Sequence, residues 1–330
     1  MCHNPLILMK NIDYYIHSFT HLRRAPNNGG APHKPVLLLS IIDAIEKGYV
    51  FDERIYITAE LITLFKSNWN IWVKTSHIMN FTLPFYHLSN EPFWKLIVKS
   101  GMNIPLTNRN SIRSFQALIQ SIEYAEIDKD LFFYLNRSID REILRKTLID
   151  KYFSNIEPSR LSNTDYLDLI AEQILRESAV QYKKKIKQLK ETEDDESFEE
   201  EIYIRSNVFK QKIPQIYDYT CCITGLRVSS ACGHSLIDAC HIIPFSVGHD
   251  DTIGNGIALC PNFHRVFDSG LITIDSNYKV IVSKKFIENN SQYSIGQFNN
   301  KELILPQNNL FHPRKEVLQW HQENVFEKNL

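Results

Sequence analysis

The pattern of apolar and polar positions predicts a helical first part of the chain. Residues 35–48 (PVLLLSIIDAIEKG) combine an initial proline, a long apolar run and a final glycine, which is typical of a buried helix. Thr58 is an N-cap residue before the apolar run of a second helix. Residues 141–153 have apolar positions at helical spacing, and residues 165–189 are expected to form one long helix with a lysine stripe.

The last 130 residues have a different pattern. Short apolar runs at 235–244, 256–260, 271–275 and 279–282 are separated by Gly, Asp and Asn. The last two runs predict a hairpin, and Pro261 is expected to open a helix that carries His264 and Asp268. This order predicts a strand, a loop, a second strand and a helix.

Charge separates the two parts. Residues 191–201 (ETEDDESFEEE) contain a dense run of acidic side chains, which predicts a solvated linker. We therefore expect an α+β protein of three segments: a mainly helical domain over 1–155, a charged helical linker over 156–203 and a second domain over 204–330. A length of 330 residues suits two domains.

Composition excludes several protein classes. The formal net charge is −1, so the chain as a whole is not a basic nucleic-acid binder. No apolar stretch approaches the ~18 residues of a membrane span, and the first 15 residues show no secretory signal. We expect a cytoplasmic protein without a membrane partner, in which the six cysteines are reduced.

The strongest chemical signal is the series His241, Asn255 and His264. A histidine can take a proton from water near neutral pH, because its reference pKa is ~6.5. A divalent metal held by His264 and a carboxylate can polarise a phosphoryl oxygen. Asn255 is expected to fix the loop and orient His241. These roles favour hydrolysis of a phosphodiester.

Residues 217–282 resemble the HNH nuclease family with its ββα-metal fold. The motifs are Tyr217-Asp218, CITG at 222–225, ACHI at 239–242, NGIALC at 255–260 and HRVFDSG at 264–270. The resemblance implies that His241 is the general base, Asn255 the middle residue and His264 a ligand of Mg²⁺ or Mn²⁺.

The second metal ligand is less defined, because Cys240 occupies the position before the base where many family members have Asp or His. Asp268 is the expected ligand since it shares a helical face with His264. Asp238 is the alternative. A structural zinc is a further alternative for the cysteines, but no C-x₂-C pair is present, and buried free thiols are expected instead.

Residues 23–35 form a basic, glycine-containing loop that leads into a helix N-terminus, which predicts an anion site. The domain resembles the sulfur-binding domain of McrA-like, phosphorothioate-dependent restriction endonucleases, through APHKPVLLL at 31–39, PFYHL at 84–88 with Phe93-Trp94, and residues 144–153. The resemblance implies a shallow apolar pocket for a sulfur atom of the DNA backbone. The candidate DNA- and sulfur-binding residues are Arg23, Arg24, His33, Lys34, Leu83, Pro84 and His87.

The sequence therefore predicts a restriction-type, metal-dependent endonuclease that acts on phosphorothioate-modified double-stranded DNA. One HNH site cuts one strand, so a homodimer is expected, with residues 165–189 as the candidate interface. Two alternatives stay open. One is an HNH nuclease with another trigger, such as methylated or sequence-defined DNA. The other is a catalytically inactive DNA-binding protein, which Cys240 motivates.

Overall fold

A computed structural model describes residues 10–26, 29–156, 166–229, 235–289 and 291–328. Contacts divide the chain into two compact units. The first unit comprises Met1–Leu167 and Glu193–Ile204, and the second comprises Asp168–Thr192 and Arg205–Leu330. No helix in the described ranges has the length and apolar character needed to cross a membrane.

The first unit contains helices packed around a small antiparallel sheet, with strand order β1-β3-β2. Its elements are α1 (Ile12–Thr20), α2 (His33–Glu46), β1 (Arg54–Ile55), α3 (Ala59–Trp72), α4 (Thr82–His87), β2 (Trp94–Val98), α5 (Phe115–Ser121), β3 (Ile122–Ile127), α6 (Lys129–Asn136) and α7 (Ser138–Tyr152). The helices over 35–48, from Thr58 and over 141–153 agree with α2, α3 and α7. The three strands were not predicted.

Helix α2 forms the centre of this unit. Its residues from Lys34 to Ile42 are all buried, because α3, α4 and α7 pack around it. The helix ends where Gly48 adopts a φ of +73°, which a residue with a side chain rarely adopts. A helix buried on most sides holds its N-terminus in a fixed place, and this end carries His33 and Lys34.

The second unit contains two antiparallel strand pairs, β4-β5 and β6-β7, and several helices. The elements that complete the chain are α8 (Tyr166–Arg176), α9 (Ala179–Thr192), α10 (Asp195–Ile216), β4 (Asp238–His241), α11 (Phe245–Gly248), β5 (Gly256–Leu259), α12 (Pro261–Asp268), β6 (Ile272–Ile274), β7 (Val280–Val282) and α13 (Lys315–Asn324). The predicted strand, loop, strand and helix order and the hairpin are present. The α+β class is confirmed.

The single long helix predicted over 165–189 is wrong. The chain forms α8 and α9 instead, and the break falls at Ser178. Ser178 Oγ accepts from Gln181 N (3.4 Å), while Gln181 Oε1 accepts from Ser178 N (3.0 Å). This reciprocal pair is a capping box, which starts a new helix. Ile170, Ile174 and Ile186 of these helices are buried, whereas Leu169 and Val180 are exposed. The homodimer and its interface over 165–189 stay predictions.

The acidic run is not a solvated linker throughout. Its C-terminal part belongs to α10, where Glu200 and Glu201 are only 2% and 3% exposed. Glu201 accepts a hydrogen bond from Tyr166 Oη (2.7 Å) and lies 3.5 Å from Lys66 Nζ. The apolar positions that follow in α10 recur at helical spacing, which turns one face of the helix inward. The units defined by contacts thus divide the segment 156–203 between them.

Candidate active site

Strands β4 and β5 and helix α12 place the predicted catalytic residues around one pocket. β4 pairs with β5 so that His241 lies opposite Gly256, and Asn255 immediately precedes β5. α12 starts with Pro261 in its first turn and carries His264 toward the same pocket. The pocket has a volume of about 350 Å³ and its lining includes Lys210, His241, Phe245, His264 and Asp268.

Gly256 explains how helix α10 approaches this strand pair so closely. A Cβ atom at this position would lie 2.3 Å from Ile213 Cδ1 and 2.7 Å from Phe209 Cζ. Only glycine permits this distance between helix and strand. The approach allows the Phe209 ring to stack on the His241 ring, with centroids 3.9 Å apart and an interplanar angle of 10°.

One ring nitrogen of His241 has a hydrogen-bond partner, and the other has none among the described residues. Its Nε2 atom lies 2.7 Å from Asp251 Oδ1, and Asp251 is fully buried. Its Nδ1 atom has no protein partner among the described residues. The side chain is 17% exposed and lines the pocket, so solvent reaches a ring whose orientation is fixed.

Asn255 acts on the backbone around His241 rather than on the imidazole. Its Nδ2 donates to the carbonyl oxygens of Ile243 and Asp250, both at 2.9 Å, and its Oδ1 accepts from Ile243 N at 2.9 Å. Asn255 is completely buried. These three bonds connect the end of β4 to the loop that carries Asp251, and none of them involves the His241 ring.

Three side chains could hold one cation. The ligand atoms of Cys240, His264 and Asp268 all lie within 4.8 Å of one another. Asp268 Oδ2 is 3.5 Å from His264 Nε2, whereas Asp238 Oδ2 is 3.4 Å from His264 Nδ1. The two carboxylates therefore lie at opposite edges of the imidazole. Asp268 can share an ion with His264 Nε2, and Asp238 lies where a partner that orients the ring is expected.

The chemistry of the donor set favours His264 and Asp268 over Cys240. Burial strongly raises the pKa of the Cys240 thiol, so this group stays protonated and is a poor ligand. Burial also raises the pKa of Asp268, while the neighbouring His264 lowers it. An imidazole and a carboxylate at an open pocket suit a hard divalent ion that keeps some of its water.

Sequence reasoning missed three residues. Lys210 lines this pocket, while Phe209 and Asp251 contact His241. Asp251 lies in the Gly/Asp-rich loop, and a polar side chain ten residues from a candidate base was a detectable signal. Phe209 and Lys210 precede His241 by about thirty residues, and no local pattern connects them to it. The cysteines at 221, 222, 240 and 260 are buried free thiols, while Cys232 is outside the described residues.

A second pocket lies in the first unit and brings together all seven candidate DNA- and sulfur-binding residues. It has a volume of about 600 Å³ and lies between the N-terminus of α2, the loop before it and helix α4. We call it the α2 pocket. Its lining includes Arg23, Arg24, His33, Lys34, His77, Leu83, Pro84, His87 and Asn90.

The α2 pocket has less free charge than its residue types suggest. Lys34 Nζ forms an ion pair with Glu91 Oε1 at 2.6 Å, and both side chains are buried. His33 Nε2 bonds to the Ile78 carbonyl oxygen (2.8 Å), and His87 Nε2 bonds to Ser111 Oγ (2.9 Å). Burial lowers the pKa of Lys34, His33 and His87. Burial therefore favours the neutral form of both imidazoles.

One protein-family model matches a segment of the second unit. Residues 221–275 match the HNH endonuclease family model described as HNH_2. This segment contains β4, β5, α12 and the residues His241, Asn255 and His264. No curated protein matches the chain.

Solved structures give weaker similarities. A modification-dependent TagI restriction endonuclease is 21% identical, with 37% of this chain and 40% of that chain covered and a TM-score of 0.27. The sulfur-binding and SRA domains of ScoMcrA in complex with phosphorothioated DNA are 19% identical, with 42% of each chain covered and a TM-score of 0.34. The phosphorothioation-dependent endonuclease ScoMcrA itself is 11% identical, with 76% and 93% covered and a TM-score of 0.33.

The chain thus spans about two fifths of the length of the first two of these structures, and TM-scores below 0.5 do not establish a shared fold. The family match is independent of them and coincides with the pocket around His241. Residues 221–275 are therefore an HNH endonuclease segment, and this segment contains His241, Asn255 and His264.

Proposed function

We propose that the chain is a restriction-type, metal-dependent DNA endonuclease that recognises phosphorothioate-modified DNA through the α2 pocket. The observation that carries the proposal is that the seven candidate residues, from two segments about fifty residues apart in sequence, line this one pocket in a unit outside the HNH segment. Recognition and cleavage would then belong to different parts of the chain.

The physical character of the α2 pocket favours sulfur over oxygen. Leu83 and Pro84 supply apolar surface beside Lys34, whose charge is already compensated by Glu91. A sulfur atom is large, polarisable and a weak hydrogen-bond acceptor, so it loses little on leaving water. An oxygen at the same place would lose its hydration without gaining full partners, which costs free energy.

Phosphate contacts around the pocket would supply affinity that is independent of sulfur. Arg23 is exposed at the rim and has no ion pair among the described residues. Arg24 stacks on Tyr152 with its guanidinium 4.3 Å from the ring centroid and donates to the Gly30 carbonyl oxygen. Cations at such positions bind phosphate with a strong dependence on salt.

In the HNH domain we assign the proton transfer to His241. Its Nδ1 is free to accept the proton of a water molecule that attacks the phosphorus. A divalent metal bound to His264 and Asp268 would neutralise charge on the phosphoryl oxygen. Lys210 is exposed in the same pocket, where its ammonium group would contact the phosphate. One such site cuts one strand, so a double-strand break requires two chains on the DNA.

The experiment compares cleavage of two duplexes that are identical except for backbone sulfur at a defined linkage. Each duplex is incubated with the wild-type chain in Mg²⁺ or Mn²⁺, and with His241→Ala. Cleavage of the sulfur-bearing duplex alone, abolished in the variant, is the expected result.

Equal cleavage of both duplexes would reject sulfur recognition and favour a different trigger. Metal binding without cleavage of either duplex would favour the inactive DNA-binding alternative. Equal activity of His241→Ala and the wild type would reject the assignment of the base.

A further inference from the structure

The His241 imidazole forms a hydrogen bond with Asp251, a residue outside the series His241, Asn255 and His264. Asp251 is fully buried and directs Oδ1 to His241 Nε2 at 2.7 Å. Its other oxygen, Oδ2, accepts a hydrogen bond from Tyr182 Oη at 3.2 Å. Both oxygens of the carboxylate are thus used, one for the imidazole and one for a tyrosine of α9.

We propose that Asp251 is a positioning residue that fixes the tautomer and orientation of His241, with Tyr182 and Phe209 as its supports. This inference rests on the proposed function, in which His241 is the general base. A carboxylate only accepts hydrogen bonds, so the His241 nitrogen that faces it must carry the proton. The proton therefore sits on Nε2, and the Nδ1 lone pair is available to water.

The same carboxylate stabilises the charge that catalysis creates. When Nδ1 takes a proton from water, the imidazole becomes a cation next to a buried anion, and the interaction is strong because water is excluded. A carbonyl oxygen at this place would accept the same hydrogen bond without the full negative charge. Asp251 thus both selects the tautomer and favours the protonated product of the step.

Tyr182 keeps the carboxylate in place. Burial raises the pKa of Tyr182, so its hydroxyl retains the proton that it donates to Asp251. The guanidinium of Arg205 lies 5.6 Å from the centre of the Tyr182 ring. Because Phe209 covers one face of His241 at 3.9 Å, the imidazole is restrained in its plane as well as at its edge.

These supports come from outside the matched HNH segment. Tyr182 lies on α9 and Phe209 on α10, both before residue 221. The HNH segment by itself therefore contains Asp251 but lacks Tyr182 and Phe209. The second unit, which includes α9 and the part of α10 from Arg205 onward, contains the complete arrangement.

The test uses Asp251→Asn in the full chain, with Asp250→Asn as the matched control. Asp250 is also a buried carboxylate of this loop, but it pairs with Arg314 at 2.6 Å and does not touch His241. The first readout is the ¹⁵N NMR signature of the His241 ring without DNA or metal, assigned by comparison with His241→Ala. The second is the single-turnover cleavage rate together with the affinity for DNA.

We expect the wild type and Asp250→Asn to show the proton on Nε2, and Asp251→Asn to lose this tautomer because the amide can donate to Nε2. The cleavage rate of Asp251→Asn should fall by about 10²–10⁴-fold with unchanged DNA affinity. Tyr182→Phe should lower the rate less, while Tyr278→Phe, which removes a bond to a backbone oxygen in the same unit, should not.

An unchanged tautomer and rate in Asp251→Asn would overturn the inference. A loss equal to that of Asp250→Asn, with the tautomer intact, would also overturn it, since a structural role alone would then suffice. The NMR result does not depend on cleavage. It therefore decides the role of Asp251 even where the duplex experiment rejects the proposed function.

Discussion

Histidines occupy both pockets of this protein, but in opposite electrostatic settings. His241 faces a buried carboxylate, whereas His33 and His87 bond to an uncharged carbonyl and an uncharged hydroxyl. A carboxylate partner favours the imidazolium that a general base must become. Neutral partners and burial favour the uncharged form of an imidazole. The same residue type thus has a charged partner in one unit and uncharged partners in the other, which suits the different roles that we propose for the two pockets.

The largest expected difference between the two pockets is the separation of cleavage from binding. His241→Ala should lower the cleavage rate by about 10²–10⁴-fold and leave the affinity for DNA unchanged, because the α2 pocket is intact. His33→Ala should weaken DNA binding instead. Electrophoretic mobility shift and single-turnover cleavage measure the two effects, with the exposed His17→Ala as the control for the loss of a histidine. A loss of both properties in each variant would contradict the division of roles.

The two carboxylates beside His264 should differ in their effect on metal binding. Asp268→Asn removes a ligand and should weaken Mn²⁺ binding more than Asp238→Asn, which removes a group that orients the ring and should cost roughly 10-fold. Isothermal titration calorimetry with Mn²⁺ gives both values. If Asp238→Asn weakens Mn²⁺ binding more than Asp268→Asn does, Asp238 is the ligand and Asp268 is the group that orients the His264 ring.

The buried ion pair of the α2 pocket should have a large effect on stability. Glu91→Gln leaves the Lys34 ammonium buried without its partner, which should lower the free energy of unfolding by about 3–5 kcal/mol. The exposed pair of Lys146 and Asp150 is the matched comparison, and Asp150→Asn should change this free energy by less than about 1 kcal/mol. Urea unfolding measures both. Equal effects would show that the Lys34 pair is solvated.

The first unit should lose stability as the pH rises. Burial raises the pKa of Glu200 to about 7, above its value of 4.5 in the unfolded chain. Folding thus favours the protonated form. The stabilisation is complete below pH 4.5 and is lost as the pH rises from there through 7, by up to about 3 kcal/mol in total. Glu200→Gln should remove this fall. Urea unfolding of both proteins between pH 5 and pH 8.5 tests the expectation, and parallel pH profiles would contradict it.

The second unit should show the opposite pH dependence. Burial lowers the pKa of His321 to about 4, below the 6.5 of the unfolded chain. Folding favours the neutral ring, so the contribution is complete above pH 6.5 and is lost as the pH falls toward 4. His321→Gln should flatten the acid side of the urea-unfolding profile. An unchanged acid slope would show that another group controls acid unfolding.

The sequence predicted the elements whose signals are local. Pro35 and Gly48 mark the ends of α2, and Pro261 marks the start of α12, because these residues act through their own backbone. The capping box at Ser178 and Gln181 is equally local, but its signal is weaker than the helical periodicity on both sides of it, which predicts one continuous helix.

Residues that meet through tertiary packing were harder to predict. Glu200 was assigned to a solvated run because its neighbours in sequence are acidic, whereas helical periodicity turns it inward. Phe209 reaches His241 only because Gly256 allows helix and strand to approach, a relation between distant positions. The α2 pocket was predicted from a family resemblance, and its neutralising partner Glu91 was not.

We propose that the α2 pocket selects sulfur-bearing DNA independently of cleavage. Competition binding of His241→Ala, without divalent metal, to two duplexes that differ only in backbone sulfur isolates this selection from catalysis. We expect tighter binding of the sulfur-bearing duplex, and loss of that preference when His33→Ala is added. Equal affinity of His241→Ala for the two duplexes would reject sulfur recognition by this pocket.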